Sequence, residues 1–264
     1  KPLTTMYILD QILENKSREV AELKAQLPFG ELYARAKAHT RPVRSFSGAL
    51  STSPSGIIAE FKHRSPSKGF INREARPEEI VPGYETAGAA AVSVLTDRDY
   101  FAGSLDDLRR ACAAAQLPLL RKDFVIDACQ IAEARLAGAD AVLLIAAALT
   151  PAQTSSLASF AHELGLEVLL EIHREQELGH LCDAVDVVGV NNRDLTTFVT
   201  DIRVSLALAA AIPDRFVRIS ESGLSSPETV RGLREAGFSG FLMGENFMKR
   251  PDPAAALREF IEAL

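Results

Sequence analysis

Glu60 and Lys62 stand two residues apart in the run AEFKHRSPSKG (59–69), where an otherwise apolar segment carries a carboxylate and an ammonium before it ends in Ser65-Pro66-Ser67 and Gly69. Residues i and i+2 of a strand share a face, so both charges point the same way. Further along, Lys122, Glu171, Asn191 and Glu221-Ser222-Gly223 each close a short apolar run, and Gly244 closes another. Taken singly, a lysine at a strand end is usually solvated, and a glutamate there usually caps the next helix or meets a surface arginine. Gathered at one mouth, these groups could hold an anion, move protons, or offer a desolvated amine as a nucleophile. Polar side chains ending five separate strands around a partly desolvated pocket are costly to bury without a use.

Such a gathering needs a scaffold that brings strand ends together. Eight short runs rich in Val, Leu and Ile supply the strands: GIIAEF (56–61), AAVSVLT (90–96), LPLLRKD (117–123), DAVLLIA (140–146), LEVLLEI (166–172), DVVGVN (186–191), RFVRIS (215–220) and GFLMG (240–244). Longer helix-like segments separate them, and several close on Ala-Gly-Ala (87–89, 137–139) or Ala-Gly-Phe (236–238), glycine ending a helix just before a strand. A parallel sheet covered by helices follows. An open doubly wound sheet would carry a glycine-rich phosphate loop after its first strand, and neither GxGxxG nor GxxxxGK[ST] occurs. The expected fold is therefore α/β, a (β/α)8 TIM barrel with its chemistry at the C-terminal ends of the strands.

Ahead of the barrel, Ile8, Leu9, Ile12, Leu13, Val20, Leu23 and Leu27 mark an amphipathic helix that stops near Pro28-Phe29-Gly30. The Ser-, Thr-, Pro- and Gly-rich stretch 45–56 reads as a connector. We expect one domain over 1–264, with a helical extension and connector (1–50) leading into the barrel (51–264). Pro82 falls within the first barrel helix, in its first turn or at a kink.

Composition narrows the partners. With 264 residues, 47% apolar and a net charge of −6, the chain resembles an ordinary globular protein that meets small molecules rather than nucleic acid. No apolar run approaches the roughly 18 residues of a membrane span, so no membrane is expected and the cytoplasm is the expected location. Cys112, Cys129 and Cys182 lack paired spacing and read as core residues. His39, His63, His162, His173 and His180 show no metal-ligand spacing and read as surface or capping residues, so no metal is expected. The loops SESGLSSPE (220–228) and LMGENF (242–247) follow the last two strands, and Ser225-Ser226-Pro227-Glu228 has the order of a helix start. Barrels commonly seat phosphate there on backbone N–H groups, which favours a phosphorylated ligand, although tight turns alone would look the same.

The stretch IIAEFKHRSPSKGFI resembles the signature of the indole-3-glycerol phosphate synthase family, and so do SVLTDRDYFAGS (93–104), LLRKDFVID (119–127), GADAVLLI (138–145), VNNRDL (190–195) and ISESGL (219–224). The similarity extends through ILDQILENKSREVAELK (8–24) and so covers essentially the whole chain. E-x-K-x-x-S-P-S is far more selective than a lone glycine motif.

The resemblance implies ring closure of 1-(2-carboxyphenylamino)-1-deoxyribulose 5-phosphate to indole-3-glycerol phosphate, with loss of carbon dioxide and water and no cofactor. It implies Lys122 as the acid that protonates the developing alkoxide, which requires tuning, since a lysine near its reference pKa of about 10.4 is a weak acid at neutral pH. By the same analogy Lys62 holds the substrate carboxylate, Glu60 balances the lysines, and Glu171 serves the later acid–base step, with Lys122 and Glu60 as competitors. Asn191 is implied to hydrogen-bond a substrate oxygen, its neighbour Asn192 pointing the other way. Arg193, Glu221 and Ser222 form a supporting shell. Ser65, Ser222 and the backbone near Gly223, Gly244 and Glu245 cradle phosphate, the Glu245 carboxylate turning aside. The resemblance also implies that Phe101, Phe124, Leu143, Leu169 and Leu224 line the slot for the aromatic ring, although each would equally serve as ordinary core. A monomer is compatible with all of this, and oligomeric state stays open.

Two other readings use the same residues. A Schiff-base aldolase would employ Lys122 as its nucleophile, and borohydride trapping with substrate would reveal it. A barrel that binds a sugar phosphate without turnover would not need the acid and base.

Overall fold

In a computed structural model that describes residues 7–264, eight parallel strands close into a barrel. They are β1 (Ile57–Phe61), β2 (Ala91–Leu95), β3 (Leu119–Lys122), β4 (Ala141–Ile145), β5 (Glu167–Ile172), β6 (Val187–Asn191), β7 (Val217–Glu221) and β8 (Gly240–Met243). Each strand pairs with its sequence neighbour, and Ile57 of β1 meets Phe241 of β8 to complete the ring. All eight runs read from the sequence are strands, and the fold is the TIM barrel.

The two-residue period sorts each strand between two cores. Ile57, Ala59 and Phe61 belong to the outer core beneath the helices, whereas Ile58 belongs to the barrel interior with Leu120, Leu143, Leu169 and Ile219. Alternation then places Glu60, Lys122, Glu171, Asn191 and Glu221 in the top interior layer.

The outer helices are α4 (Pro77–Ala87), α5 (Leu105–Ala114), α6 (Ala128–Ala137), α7 (Pro151–Glu163), α8 (Arg203–Leu208), α9 (Pro227–Glu235), α10 (Glu245–Met248) and α11 (Pro253–Glu262), while only a 3₁₀ segment, Glu175–His180, lies between β5 and β6. The repeat is thus less regular than strict helix–strand pairing predicts. The glycine stops hold: Gly88, Gly138 and Gly237 have φ of +98°, +93° and +95°, a region open to residues without a Cβ. Ser226 caps α9 with Pro227 in the first turn, as its sequence order suggests. Pro82 lies inside α4, past the first turn, and the helix continues to Ala87.

The N-terminal region is more helical than expected. After α1 (Ile8–Gln26), a second helix α2 (Phe29–Ala38) begins at the predicted stop, and α3 (Phe46–Thr52) occupies most of the predicted connector. The polar composition of 45–56 misleads because Phe46 and Leu50 carry the burial. Both are buried in the interior core, on the side opposite the polar layer. Ser45 caps α3 by accepting from Gly48 N–H.

The buried stripe of α1 also contains a lysine. Lys16, one turn after Ile12 and 2% exposed, places Nζ 2.9 Å from Asp97 and 3.0 Å from Asp123, the residues just beyond β2 and β3. Burial opposes its charge, but Asp123 and Asp97 outweigh that and hold it cationic. Lys16 thus fastens α1 across the mouth, where Ile8, Leu9 and Ile12 face the cavity. Lys16→Met should leave two buried carboxylates short of a partner and cost about 3–5 kcal/mol. Urea denaturation reads this directly, and an unchanged midpoint would refute the clasp.

Candidate active site

A cavity of about 310 Å³ opens at the C-terminal ends of the strands, at the lower end of the roughly 300–1,000 Å³ usual for small-molecule sites. Glu60, Lys62, Lys122, Glu171, Asn191 and Glu221 all line it.

Lys62 Nζ lies 2.8 Å from Glu60 Oε1, so the two charges at the end of β1 form an ion pair at the mouth. Lys122 Nζ lies 3.9 Å from Glu60, 4.0 Å from Glu171 and 3.8 Å from Glu221, nearly equidistant from three carboxyl groups. Burial disfavours its charge, but Glu60, Glu221 and Glu171 together push its pKa above the ordinary lysine value. The expected tuning therefore runs the other way: the free site holds Lys122 as a firm ammonium.

The carboxyl groups differ among themselves. Glu60 is held below the usual range because Lys62, Lys122 and a Ser93 Oγ–H bond of 3.3 Å overcome its burial. Glu171 is likewise held low despite burial, facing His173, Lys122 and Asn191, whose Nδ2 donates at 3.2 Å. Glu221 goes the other way. Burial and the neighbouring Glu171 raise it, and its side-chain oxygens have no hydrogen-bond partner, so it favours the neutral acid. Sequence reasoning placed Glu221 in a supporting shell, but it stands in the centre of the charge cluster.

Two glycines make room for these carboxyl groups. A Cβ at Gly189 would come 2.4 Å from Glu221 Oε1, and one at Gly244 would come 2.8 Å from Glu60 Cβ. Gly189→Ala should therefore cost about 1–3 kcal/mol through overpacking. Thermal denaturation should show a lowered Tm that recovers when Glu221 is also truncated to alanine. No recovery would locate the strain elsewhere.

The expected anion seat lies at the same mouth. Ser65, Arg193, Ser222, Gly223, Gly244 and Glu245 all line the cavity. The buried Ser65 hydroxyl has no partner, and Ser222 and Gly223 have φ of +67° and +74°, a strained conformation for a serine. The Glu245 carboxylate is engaged by Lys68 Nζ at 2.6 Å. Arg193 donates its backbone N–H to Asn191 Oδ1 at 3.0 Å, fixing that amide.

Of the expected ring slot, Phe101, Phe124, Leu143 and Leu224 line the cavity, the two phenyl rings with centroids 6.1 Å apart. Leu169 does not. It shares its strand face with Glu171 but lies one layer deeper, wholly buried in the interior core. Leu95, Ile145, Ile8 and Leu9 extend the apolar wall instead.

Three polar residues make contacts that the sequence reading did not assign to them. Asn192, pointing away from the interior as expected, donates to Ser220 Oγ and to the carbonyls of Glu221 and Ser222, each at 3.0 Å, and so ties down the turn that carries both site residues. Lys16 stands four residues after Ile12 on the buried stripe, but its partners Asp97 and Asp123 come from distant strands. His173, taken as a surface or capping residue, has its side chain beside Glu171 and only 12% exposed. Among the described residues, no group of three His, Cys, Asp or Glu side chains is arranged to hold a metal ion.

A closed (β/α)8 barrel whose mouth gathers ammonium and carboxyl groups around one cavity has the architecture of a barrel enzyme. The sequence model of indole-3-glycerol phosphate synthase matches residues 9–260, and the chain belongs to that family. It is 52% identical over 257 residues to the indole-3-glycerol phosphate synthase of Bacteroides thetaiotaomicron, covering 97% of this chain and 98% of that one. The Bordetella pertussis enzyme of the same name is 44% identical, with 96% and 98% covered. Among solved structures, the chain resembles a mutant tryptophan synthase alpha-subunit from Pyrococcus furiosus, with a TM-score of 0.61, 13% identity and coverage of 80% and 98%. It also resembles 3-hexulose-6-phosphate synthase from Salmonella typhimurium, with a TM-score of 0.62, 13% identity and coverage of 79% and 98%. At that identity these two show the fold alone.

Proposed function

We propose that the chain closes an indole ring as a carbon–carbon lyase of the carboxy-lyase type. It converts 1-(2-carboxyphenylamino)-1-deoxyribulose 5-phosphate to indole-3-glycerol phosphate, carbon dioxide and water. The single observation that supports this best is the meeting of Lys62, Lys122, Glu60, Glu171, Glu221 and Asn191 on one cavity beside an anion seat and an apolar wall.

The substrate phosphate sits on Ser65, Arg193, Ser222 and the backbone at Gly223, Gly244 and Glu245, and its aromatic ring lies against Phe101, Phe124, Leu143 and Leu224. Lys62 holds the carboxylate. As the ring carbon bearing that carboxylate attacks the ketone, Lys122 gives a proton to the new alkoxide, a base strong enough to take one from a firmly held ammonium. Loss of carbon dioxide returns the electron pair to the ring. Glu171, kept ionised by its neighbours, takes the proton whose loss completes the indole and hands it to the departing hydroxyl, which leaves as water, while solvent restores the proton that Lys122 gave up. Asn191 orients the reacting oxygen and the Glu171 carboxylate together.

The aldolase reading fits less well, because an imine-forming amine must be neutral and the ionised Glu60 and Glu171 hold Lys122 charged. The packing of α1 and α2 on α6, and of α3 on β2 and β7, supports extension and barrel as one domain. Among the described residues, no helix is long and apolar enough to cross a membrane.

Incubating the protein with the carboxyphenylamino-ribulose phosphate should produce indole fluorescence and one equivalent of carbon dioxide. Fluorescence without gas release, or neither, would refute the assignment.

A further inference from the structure

We infer that His173 is a positioning residue for the reaction, an imidazolium wedged between Glu171 and Glu177 that fixes the Glu171 carboxylate and keeps it ionised. This rests on the acid–base role proposed for Glu171.

The placement follows from strand alternation. Glu171 and His173 are two residues apart on β5 and the turn just after it, so both project to the mouth side. His173 Nε2 lies 3.2 Å from Glu171 Oε1, and Nδ1 lies 3.5 Å from Glu177 Oε2. Neither nitrogen has a hydrogen bond of good geometry, so the contacts are ionic in character. Glu177 is itself secured, accepting from the His173 backbone N–H at 2.7 Å and from Arg174 Nε at 3.0 Å. The 3₁₀ segment that replaces a full helix after β5 therefore brings a second carboxylate to the far side of the ring.

The groups around the imidazole agree on its charge. Glu171 faces it from β5 and Glu177 from the following segment, while the 3₁₀ turn Ala146–Ala148 after β4, packed against both elements, contributes no titratable side chain. Arg174 is paired on the outer side of Glu177, and Lys122 lies on the other side of Glu171, 4.0 Å from its Oε2. Burial alone would discharge the ring, but the two carboxylates outweigh it and push its pKa up to about 10. Across the neutral range Glu171 is thus flanked by two fixed cations, Lys122 inside the cavity and His173 outside it. One cation meets the substrate and the other does not. That division lets Glu171 stay ionised when its contact with Lys122 changes during turnover.

The pH profile of kcat tests this. His173→Asn removes the cation but keeps a polar group of similar reach. Since an opposite charge at this distance lowers a carboxyl pKa, its loss should move the acid limb of kcat upward by about one pH unit or more. We expect kcat at neutral pH to fall on the order of tenfold with KM little changed, because the residue acts through the base rather than on the substrate. His173→Lys restores a cation and should return the acid limb toward the wild-type position. In a Glu171→Gln background the His173→Asn change should add no further loss, as expected for two groups acting as a unit. An unmoved acid limb, or a further loss in that background, would overturn the inference. Full turnover by Glu171→Gln alone would instead overturn the role of Glu171, so the two failures are distinguishable. Should His173→Asn fold poorly, Glu177→Gln provides a second arm. The imidazole then loses one of its two carboxylates, its pKa falls, and activity should decline on the alkaline side at lower pH than in the wild type. An identical alkaline profile would count against the wedge.

Discussion

Lys122→Met should abolish turnover, with an expected loss on the order of 10⁴-fold in kcat, the upper end for a positioned proton donor. Inorganic phosphate should bind to the variant about as well as to the wild type, because the proposed anion seat uses Ser65, Arg193, Ser222 and backbone rather than Lys122. The magnitude reflects geometry. Lys122 is the ammonium within 4.0 Å of Glu60, Glu171 and Glu221 together, so its removal deletes the donor and also leaves that carboxyl cluster short of its central cation. Linkage gives a second readout. The folded-state pKa of Lys122 is raised, so its contribution to stability is complete below the unfolded-state value of about 10.4 and is lost as pH rises through the higher folded value. At neutral pH the variant should therefore be less stable than the wild type, and the gap should narrow in acid, where the carboxyl cluster can take up protons instead. Single-turnover fluorescence and phosphate titration check the first claim and denaturation across pH checks the second. Wild-type turnover by the methionine variant would remove Lys122 from the mechanism.

Glu171→Gln should lower kcat by about 10²- to 10³-fold, with a smaller effect on affinity. Glutamine keeps the acceptor for Asn191 Nδ2 but cannot take up a proton. In the wild type, the depressed pKa of Glu171 keeps it ionised through the neutral and mildly acidic range, so activity should fall only as pH drops toward that low value. The substitution also removes the charge that helps keep Glu221 neutral. Glu221 should ionise at lower pH in the variant, and the residual activity should acquire a different pH dependence. If ring closure and decarboxylation continue while the dehydrated product fails to form, the carbinol intermediate should accumulate, and its detection by mass spectrometry would place Glu171 in the final step. Loss of carbon dioxide release as well would place it earlier.

Much of the site was legible because a strand repeats every two residues. Once GIIAEF, LPLLRKD, LEVLLEI and RFVRIS are parallel strands of one barrel, Glu60, Lys122, Glu171 and Glu221 must share an end and a face, with no tertiary information needed. The same rule explains the misplaced Leu169. Period two gives the face but not the depth, and Leu169 lies in the layer below the cavity floor. In the N-terminal region, polar composition concealed α3, where Phe46 and Leu50 carry the burial. Lys16 was hidden because a lysine in an apolar stripe makes sense only when its carboxylates are known, and Asp97 and Asp123 lie more than eighty residues away in the chain.

Strand order, barrel closure and the identities of the groups at its mouth were determined by local pattern, since alternation and helix stops are properties of neighbouring residues. Protonation was decided only by the tertiary structure. Of three glutamates, Glu60 and Glu171 are held below the usual carboxylate range and Glu221 is pushed above it, and Lys122 becomes a firmer cation rather than a tuned weak one. The physical reason is that a pKa in a buried cluster depends on burial and on charges a few ångströms away, and those neighbours arrive from strands far apart in the chain.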